Sequence, residues 1–375
     1  MIPIDYTICP KEYDKFVANF KKKVENAISM GYVGQREKMT VRKALDLRST
    51  LSEAQKNKFD AAINKDKKQR GWKKKSKRSM ILAPENMLDE DTLILLRLIQ
   101  IVGDELYHGN PQKLELYISV FETLCPKVRN RKSDINKNLN HLFVENGFDT
   151  KGVCFPKDKL IEAAGVKVCP YCNRVFVENI EYKTGGSLKG QLDHFYPKDK
   201  YPYLAISRYN LVPCCPFCNG NSGKGNKDPR KVKIVNPYSL KDAQGLRFKT
   251  NIRRKGFLNL ETCASAIDVE VDVKKQPEMT NNNKVFHLAE IYNHHKDYVA
   301  EMWYRYNMMK TPVYKKFAME MLGMKTKRGF WKIRLSKSDW DRIIYGVYTE
   351  EKNYHKRPMS KFCMDMVDDF RKKSM

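Results

Sequence analysis

The sequence predicts an α+β protein in which mostly helical N- and C-terminal regions flank a small cysteine-rich module. Apolar residues recur at helical spacing on both sides of that module. Residues 168–237 are instead rich in Cys, Pro, Gly, Asn and Tyr, and they contain two C-x-x-C pairs. We therefore expect three domains: a helical, basic N-terminal domain at residues 1–154, the module at 155–240, and a mostly helical C-terminal domain with a small strand element at 241–375.

Composition narrows the class of partner. Among 375 residues, 41% are hydrophobic, and 71 Lys and Arg outnumber 44 Asp and Glu, giving a net charge of +27. Such an excess favours a polyanionic partner, so we expect nucleic acid first and an anionic membrane surface second. The longest apolar run, Leu93–Val102, contains Arg97 and Gln100 and is far shorter than the roughly 20 residues of a membrane span. No secretory signal is evident at the N-terminus, so we expect a cytoplasmic protein without a membrane partner.

The N-terminal region predicts a pair of antiparallel helices. Residues 92–106 are densely apolar, with Asp91 as the expected N-cap and Gly109 as the expected terminator. A second helix is expected from Gln112 to Leu124. Two such helices joined by a short turn are typical of a shared helical core.

A basic run, Lys65 to Arg78, precedes these helices and contains one acidic residue, Asp66. Blocks of like charge are commonly solvated, but the same run could contact phosphates, with Trp72 stacking on a base. The sequence leaves both interpretations open.

The C-terminal region mixes one strand with helices. Residues 267–273 alternate apolar and acidic side chains, which predicts a half-exposed strand. Apolar residues at helical spacing predict helices over 285–309, 340–348 and 358–373. His294 and His295 suggest a metal site, but no ligand partner stands at a suitable spacing, so we interpret them as core or surface histidines.

The two C-x-x-C pairs predict a metal site. Cys169 and Cys172 form one pair, and Cys215 and Cys218 form the other after 42 intervening residues. Four thiolates are soft ligands, which favours zinc or an iron–sulfur cluster over magnesium or calcium. We favour zinc because no other redox feature is present, and a closed four-thiolate site is structural. Cys214 would break the symmetric spacing and is assigned to the core.

Polar residues of catalytic type lie between and beside these pairs. A strand is expected over residues 174–182, a glycine-containing turn over 183–190, and a returning strand over 191–194, which ends in Asp193 and His194. Asn210 is expected in a loop, and Asn219, directly after Cys218, in a short helical turn.

This order of C-x-x-C, Asp-His, Asn-Leu and C-x-x-C-Asn resembles the HNH, or ββα-metal, endonuclease superfamily. Fifteen residues separate His194 from Asn210 and eight separate Asn210 from Asn219, within the pattern of that family. The resemblance covers residues 168–227 and implies that the module is a zinc-stabilised HNH fold. The glycines that follow Asn219 depart from the family pattern, because they require a very short helix there.

The resemblance implies a role for each matching residue. His194 corresponds to the general base that activates water, since imidazole titrates near neutral pH. Asn210 corresponds to the residue that tethers the loop and orients this histidine.

The same resemblance implies a catalytic divalent cation, Mg²⁺ or Mn²⁺, held by Asp193 and Asn219 through oxygen atoms. Lys224 and Lys227 are candidates for contacts with phosphate only.

We therefore expect a metal-dependent HNH endonuclease that acts on nucleic acid, DNA before RNA. The motif sequences look most similar to HNH proteins of bacterial anti-phage systems, in particular to the nuclease subunit of Septu-type systems, which works with an ATPase partner. That resemblance implies a defence role and an ATPase-like partner for this chain. Two alternatives stay open: a zinc ribbon that binds nucleic acid without cutting it, and an interaction subunit whose activity depends on a partner.

Overall fold

The structure, a computed structural model, describes most of the chain. The described residues are 1–5, 8–33, 37–39, 48–49, 53, 56–57, 59–61, 79–81, 87–150, 154–253, 259–321 and 336–373. The basic run Lys65 to Arg78 lies outside the described residues. No helix among the described residues is both long enough and apolar enough to cross a membrane.

The fold is α+β, with small two-stranded sheets among many helices, as the sequence predicts. The chain divides into two units. We call Pro10–Pro156 with His194–Leu211 the helical unit, and Met1–Cys9 with Lys157–Asp193 and Val212–Met375 the cysteine unit. The division into three domains stays a prediction.

The helical unit is built mainly from long helices. Its elements are α1 (Lys11–Met30), β1 (Glu37–Met39), β2 (Ser79–Ile81), α2 (Glu90–His108), α3 (Pro111–Leu124), α4 (Asp134–Leu139), a π-helix (Asn140–Phe148), and 3₁₀ turns at Pro202–Leu204 and Arg208–Asn210. Tyr13 is fully buried in the core of this unit. Its hydroxyl donates to the carbonyl oxygens of Tyr107 and Ile206, at 2.9 and 2.8 Å, which ties α1 to α2 and to the 194–211 segment.

The predicted helix pair is confirmed, although its first boundary differs. The N-cap of α2 is Asp89 rather than Asp91, because the Asp89 side chain accepts a hydrogen bond from the backbone N–H of Thr92 at 2.6 Å. Residues 89 and 91 are both aspartates, so residue type alone does not show which of them is the N-cap. Asn110 caps α3 in the same way, with Pro111 at the first helical position.

The cysteine unit alternates short elements with helices. Its elements are α5 (Lys157–Ala163), β3 (Ile180–Glu181), β4 (Ser187–Leu188), β5 (Gln191–His194), β6 (Leu211–Cys214), α6 (Pro216–Asn219), α7 (Pro229–Val232), β7 (Arg247–Ile252), α8 (Leu260–Ser265), β8 (Ile267–Asp272), α9 (Met279–Phe286), α10 (Leu288–Asn293), α11 (Lys296–Lys310), α12 (Pro312–Met321), α13 (Lys337–Tyr345) and α14 (Ser360–Lys373). The chain leaves this unit after Asp193 in β5 and returns to it at Val212 in β6.

The strand pairing differs from the expected hairpin. Instead of one long strand pairing with β5, β3 pairs with β4 and β5 pairs with β6. Gly185 and Gly186 have φ angles of 88° and 90°, which permits a tight turn that closes β3 on β4 within a few residues. The strand with Asp193 and His194 therefore pairs with the strand that follows Asn210.

The C-terminal elements follow the predicted types with one correction. The predicted strand is β8, which pairs antiparallel with β7, with Ile267 opposite Ile252. The expected helix over 285–309 is interrupted and forms α9, α10 and α11. His287 adopts a left-handed conformation, with φ of 50°, and ends the first of them.

Candidate functional site

Four buried cysteine thiols form a cluster in the cysteine unit. The cluster contains four Sγ atoms that all lie within 4.8 Å of one another, those of Cys169, Cys172, Cys215 and Cys218. In the part of the chain that the structure describes, Cys214 does not belong to this cluster. The Sγ atoms of Cys172 and Cys215 are 3.9 Å apart, far too long for a disulfide. Tetrahedral zinc with Zn–S bonds of about 2.3 Å places its sulfurs about 3.8 Å apart, so the cluster is compatible with structural zinc.

Local backbone structure brings each pair of thiols to one side. In the first pair, the chain turns back so that the N–H of Asn173 donates to the Cys169 carbonyl at 2.7 Å. In the second pair, Cys215 precedes α6, and the N–H of Asn219 donates to the Cys215 carbonyl at 3.0 Å. The fully buried Tyr292 hydroxyl donates to the Cys172 carbonyl at 2.5 Å and fixes the first turn from outside.

The thiols influence one another's ionisation. Burial raises the pKa of Cys169 well above its usual value. Hydrogen bonds from Cys169, Cys172 and Cys218 hold the pKa of Cys215 far below its usual range. A thiolate is therefore favoured at Cys215, and full ionisation of the cluster requires a cation that offsets the buried negative charge.

His194 is held by the segment that follows it in the helical unit. Its Nε2 lies 2.9 Å from the Ala205 carbonyl oxygen, and its ring lies edge-on to Phe148, with 4.4 Å between centroids. Because a carbonyl oxygen only accepts, Nε2 carries the proton in this contact, and Nδ1 is the basic nitrogen. The residue His194 is only 9% exposed.

Asn210 ties together the loop that contains the histidine's partner. Its Oδ1 accepts from the N–H of Tyr196 at 2.7 Å, and its Nδ2 donates to the carbonyl oxygens of Tyr196 and Leu204 at 3.2 and 3.0 Å. The residue is fully buried. One side chain thus fixes the backbone on both sides of the 3₁₀ turn that presents Ala205 to His194.

Asp193 lies in a different environment from its neighbour His194. Its Oδ1 accepts from the Lys224 ammonium at 2.8 Å, and its Oδ2 accepts from the Tyr171 hydroxyl at 2.7 Å. Asp193 is 3% exposed and Lys224 is 0% exposed. Burial, and then the Asp193 carboxylate, raise the pKa of the Tyr171 phenol well above its usual value. With both oxygens engaged, the arrangement does not fit the divalent-cation ligand that the family resemblance implies for Asp193.

The remaining predicted residues, Asn219 and Lys227, form hydrogen bonds with neighbouring protein groups. The Asn219 side chain, half-buried, donates to the Gln191 Oε1 at 2.9 Å, two residues before Asp193 on β5. The Lys227 ammonium bonds to the carbonyl oxygens of Asn221 and Gly223. In this arrangement Lys227 and Lys224 both contact protein groups, so the geometry adds no support for their expected contacts with phosphate.

The structure thus brings the predicted residues together in two groups. His194 and Asn210 both form hydrogen bonds to the backbone of one loop of the helical unit. Asp193 and Lys224 form a buried ion pair in the cysteine unit. The sequence pattern does not identify Tyr171 as a site residue, because it lies between the two cysteines of a C-x-x-C pair. No local signal marks it, because its partner Asp193 is 22 residues away.

Comparison with known proteins gives one partial similarity. The chain is 36% identical over 99 residues to the Septu protein PtuB of Bacillus thuringiensis. This stretch is 26% of the chain and 35% of the Bacillus thuringiensis protein, so it spans about a third of that relative's length. No family model and no solved structure matches the chain. The similarity supports a Septu-like relationship.

We predict that Cys215→Ser lowers the zinc content of the purified protein from one ion per chain to well below one. A serine hydroxyl is a poor zinc ligand, and on the order of 10 kcal/mol of metal-binding free energy is lost with the site. Zinc is measured by mass spectrometry, and unfolding by circular dichroism.

Cys214→Ser is the matched control, because it changes a buried neighbouring cysteine that lies outside the cluster. We expect it to keep its zinc. Equal zinc contents in the two variants would contradict the assignment of the site.

Proposed function

We propose that this chain is an endonuclease of HNH type that hydrolyses phosphodiester bonds in nucleic acid, with DNA as the first substrate. The observation that carries the proposal is His194, whose Nε2 is fixed on the Ala205 carbonyl so that Nδ1 is the basic nitrogen. The net charge of +27 supports a nucleic-acid substrate, because it attracts the phosphate backbone at any sequence.

In the proposed reaction, the His194 imidazole takes a proton from a water molecule as its oxygen attacks phosphorus. The new P–O bond forms as the bond to the 3′ oxygen of the neighbouring nucleotide breaks, and that oxygen takes a proton from solvent. The hydrogen bond to Ala205 holds the ring in one tautomer and stabilises the imidazolium that forms. Asn210 is a positioning residue in this scheme, since it fixes the loop that bears Ala205.

The zinc that the four cysteines would hold supplies structure in this proposal. It would join the 169–172 turn, which precedes β5 in the chain, to the start of α6, which follows β5. No step is assigned to a divalent cation at Asp193, because Lys224 and Tyr171 occupy that carboxylate.

The biological setting rests on the similarity to the Septu protein of Bacillus thuringiensis. That similarity supports a role in anti-phage defence, and it supports a protein partner within a defence complex. We propose an ATPase-like partner, which is the expectation from the motif sequences.

We predict that the wild-type protein cuts plasmid DNA in the presence of Mg²⁺ or Mn²⁺, alone or with the product of the neighbouring gene. His194→Ala should lower the cleavage rate by about 100-fold to 10,000-fold, because a positioned general base contributes about that much. Gel electrophoresis of nicked and linear plasmid measures the rate.

His141→Ala is the control, since it removes a more exposed histidine of the same unit that pairs with Glu145. It should cut as the wild type does. If all three proteins are inert on DNA and RNA with and without the partner, the nuclease proposal is wrong. Salt-dependent DNA binding without cleavage would then favour the non-catalytic zinc-ribbon alternative.

We also predict that Asn210→Ala slows cleavage and destabilises the protein by about 1–3 kcal/mol, because it leaves the buried N–H of Tyr196 without this acceptor. Thermal unfolding and the plasmid assay measure the two effects.

Asn136→Ala is the control, because it removes the same side-chain amide at another buried position of the helical unit. Asn136 is also buried, and its Nδ2 donates to the Val128 carbonyl at 2.8 Å. It should cost similar stability but leave the cleavage rate of the folded protein unchanged. Equal rate losses would show that Asn210 acts only through stability.

A further inference from the structure

We propose that a group of basic side chains around Tyr348, in the cysteine unit, is a docking surface for the phosphate backbone of DNA. We call this group the Tyr348 cluster, and its members are Arg342, Tyr348, Lys356 and Arg357. The choice of DNA rests on the function proposed above. The cluster itself lies in a part of the chain that the proposed reaction does not use.

Three positive charges lie over the one aromatic ring of Tyr348. The distances to the ring centroid are 5.2 Å from Arg342 Cζ, 5.5 Å from Arg357 Cζ and 5.7 Å from Lys356 Nζ. The tyrosine is half-buried, whereas Lys356 and Arg357 are exposed. A cation over an aromatic ring occurs about once in 70–80 residues, so three on one ring mark an unusual concentration of positive charge.

The backbone holds these side chains together. Helix α13 ends at Gly346, whose φ of 71° is left-handed and whose N–H donates to the Arg342 carbonyl at 2.9 Å. This turn places Tyr348 against the last turns of the helix. The Arg357 guanidinium then donates to the Gly346 carbonyl at 2.7 Å, which closes the chain back on the same turn. The cluster is therefore built on a fixed turn rather than on extended side chains alone.

Most of the positive charge in the cluster is not neutralised by the protein. Arg342 pairs with Asp339 at 3.2 Å. Within the described part of the chain, no carboxylate oxygen lies within 4 Å of the charged groups of Lys356 or Arg357. The cluster thus carries two positive charges in excess.

The two glutamates that precede these cations in the chain are engaged elsewhere. The Glu350 carboxylate pairs with the Lys352 ammonium at 3.2 Å. The Glu351 carboxylate accepts from the backbone N–H of Ala243 and from the Gln244 side chain. The nearby acidic residues therefore leave Lys356 and Arg357 for another anion.

A polyanion with closely spaced charges fits this surface. Like charges over one ring repel one another, and the negative face of the ring offsets that repulsion only in part. Duplex DNA carries one negative charge per about 1.7 Å of its axis, so it can neutralise several neighbouring cations at once. Guanidinium groups also match the geometry of phosphate oxygens through paired hydrogen bonds. The net charge of +27 favours the same kind of partner.

The first test uses the zinc-loaded wild-type protein and needs no variant. Lysines are acetylated with and without a short DNA duplex, in the absence of Mg²⁺ and Mn²⁺, and mass spectrometry gives the labelling rate at each position. We expect bound DNA to slow the labelling of Lys356 at least fivefold. Lys274 and Lys275, two exposed lysines of the same unit, are the internal controls and should label at unchanged rates.

The second test measures how DNA affinity depends on salt. Replacing both Lys356→Gln and Arg357→Gln should reduce the slope of log affinity against log salt by about 2, because each cation that neutralises a phosphate contributes about 0.9. The matched control combines Lys274→Gln with Lys275→Gln. It removes the same net charge from the same unit and should leave the slope unchanged.

A third measurement separates the ring from the charges. Tyr348→Leu keeps every cation but removes the ring over which they lie, so it should weaken DNA binding at least threefold. Tyr348→Phe retains the ring and should bind as the wild type does. Tyr348 is a positioning residue in this inference.

The inference is wrong if DNA leaves the labelling of Lys356 unchanged, or if vesicles of anionic lipid protect this lysine and DNA does not. It is equally wrong if the two double variants lose the same slope, or if Tyr348→Leu binds DNA as the wild type does. No readout involves cleavage. A protein that docks DNA on the cluster but cuts no substrate would refute the proposed nuclease and retain this inference, and a nuclease that binds and cuts normally without Lys356 and Arg357 would do the reverse.

Discussion

The cluster of four thiols is the constraint on which the rest of the site depends. It joins two turns separated by 42 residues of chain, and between them the chain must leave the cysteine unit and return. Short elements such as α6, with four residues, have too few hydrogen bonds to persist alone. Bound zinc would supply the missing free energy, and in doing so fix where the loop after Cys218 begins. The position of Lys224 follows from that loop.

Two consecutive residues of β5 have different partners because a strand alternates its side chains. Asp193 receives hydrogen bonds from Tyr171 and Lys224, whereas His194 contacts Ala205 and Phe148. The Lys224 ammonium neutralises the Asp193 carboxylate, and the Ala205 carbonyl orients the His194 imidazole. In the proposed enzyme, the contact of His194 with the Ala205 carbonyl prepares proton transfer.

The sequence predicts the parts of this arrangement that depend on short spacing. The cysteine pairs are adjacent because two intervening residues allow one turn to present both thiols, and the choice of Cys215 over Cys214 rested on that spacing. The α2–α3 pair follows from apolar periodicity, although the sequence does not distinguish Asp89 from Asp91 as the N-cap. The expected strand partner of β5 is wrong, because Gly185 and Gly186 close a separate hairpin and periodicity does not specify which strands pair. The pairing of Lys224 with Asp193 spans 31 residues, and the sequence position that makes Lys224 a candidate for phosphate contact does not indicate Asp193 as its partner.

X-ray absorption at the zinc edge of the purified protein tests the central claim most directly. A structural site built from Cys169, Cys172, Cys215 and Cys218 predicts four sulfur neighbours at about 2.3 Å and no nitrogen or oxygen in the first coordination sphere. A spectrum dominated by nitrogen or oxygen ligands, or a protein that carries iron instead of zinc, would contradict it.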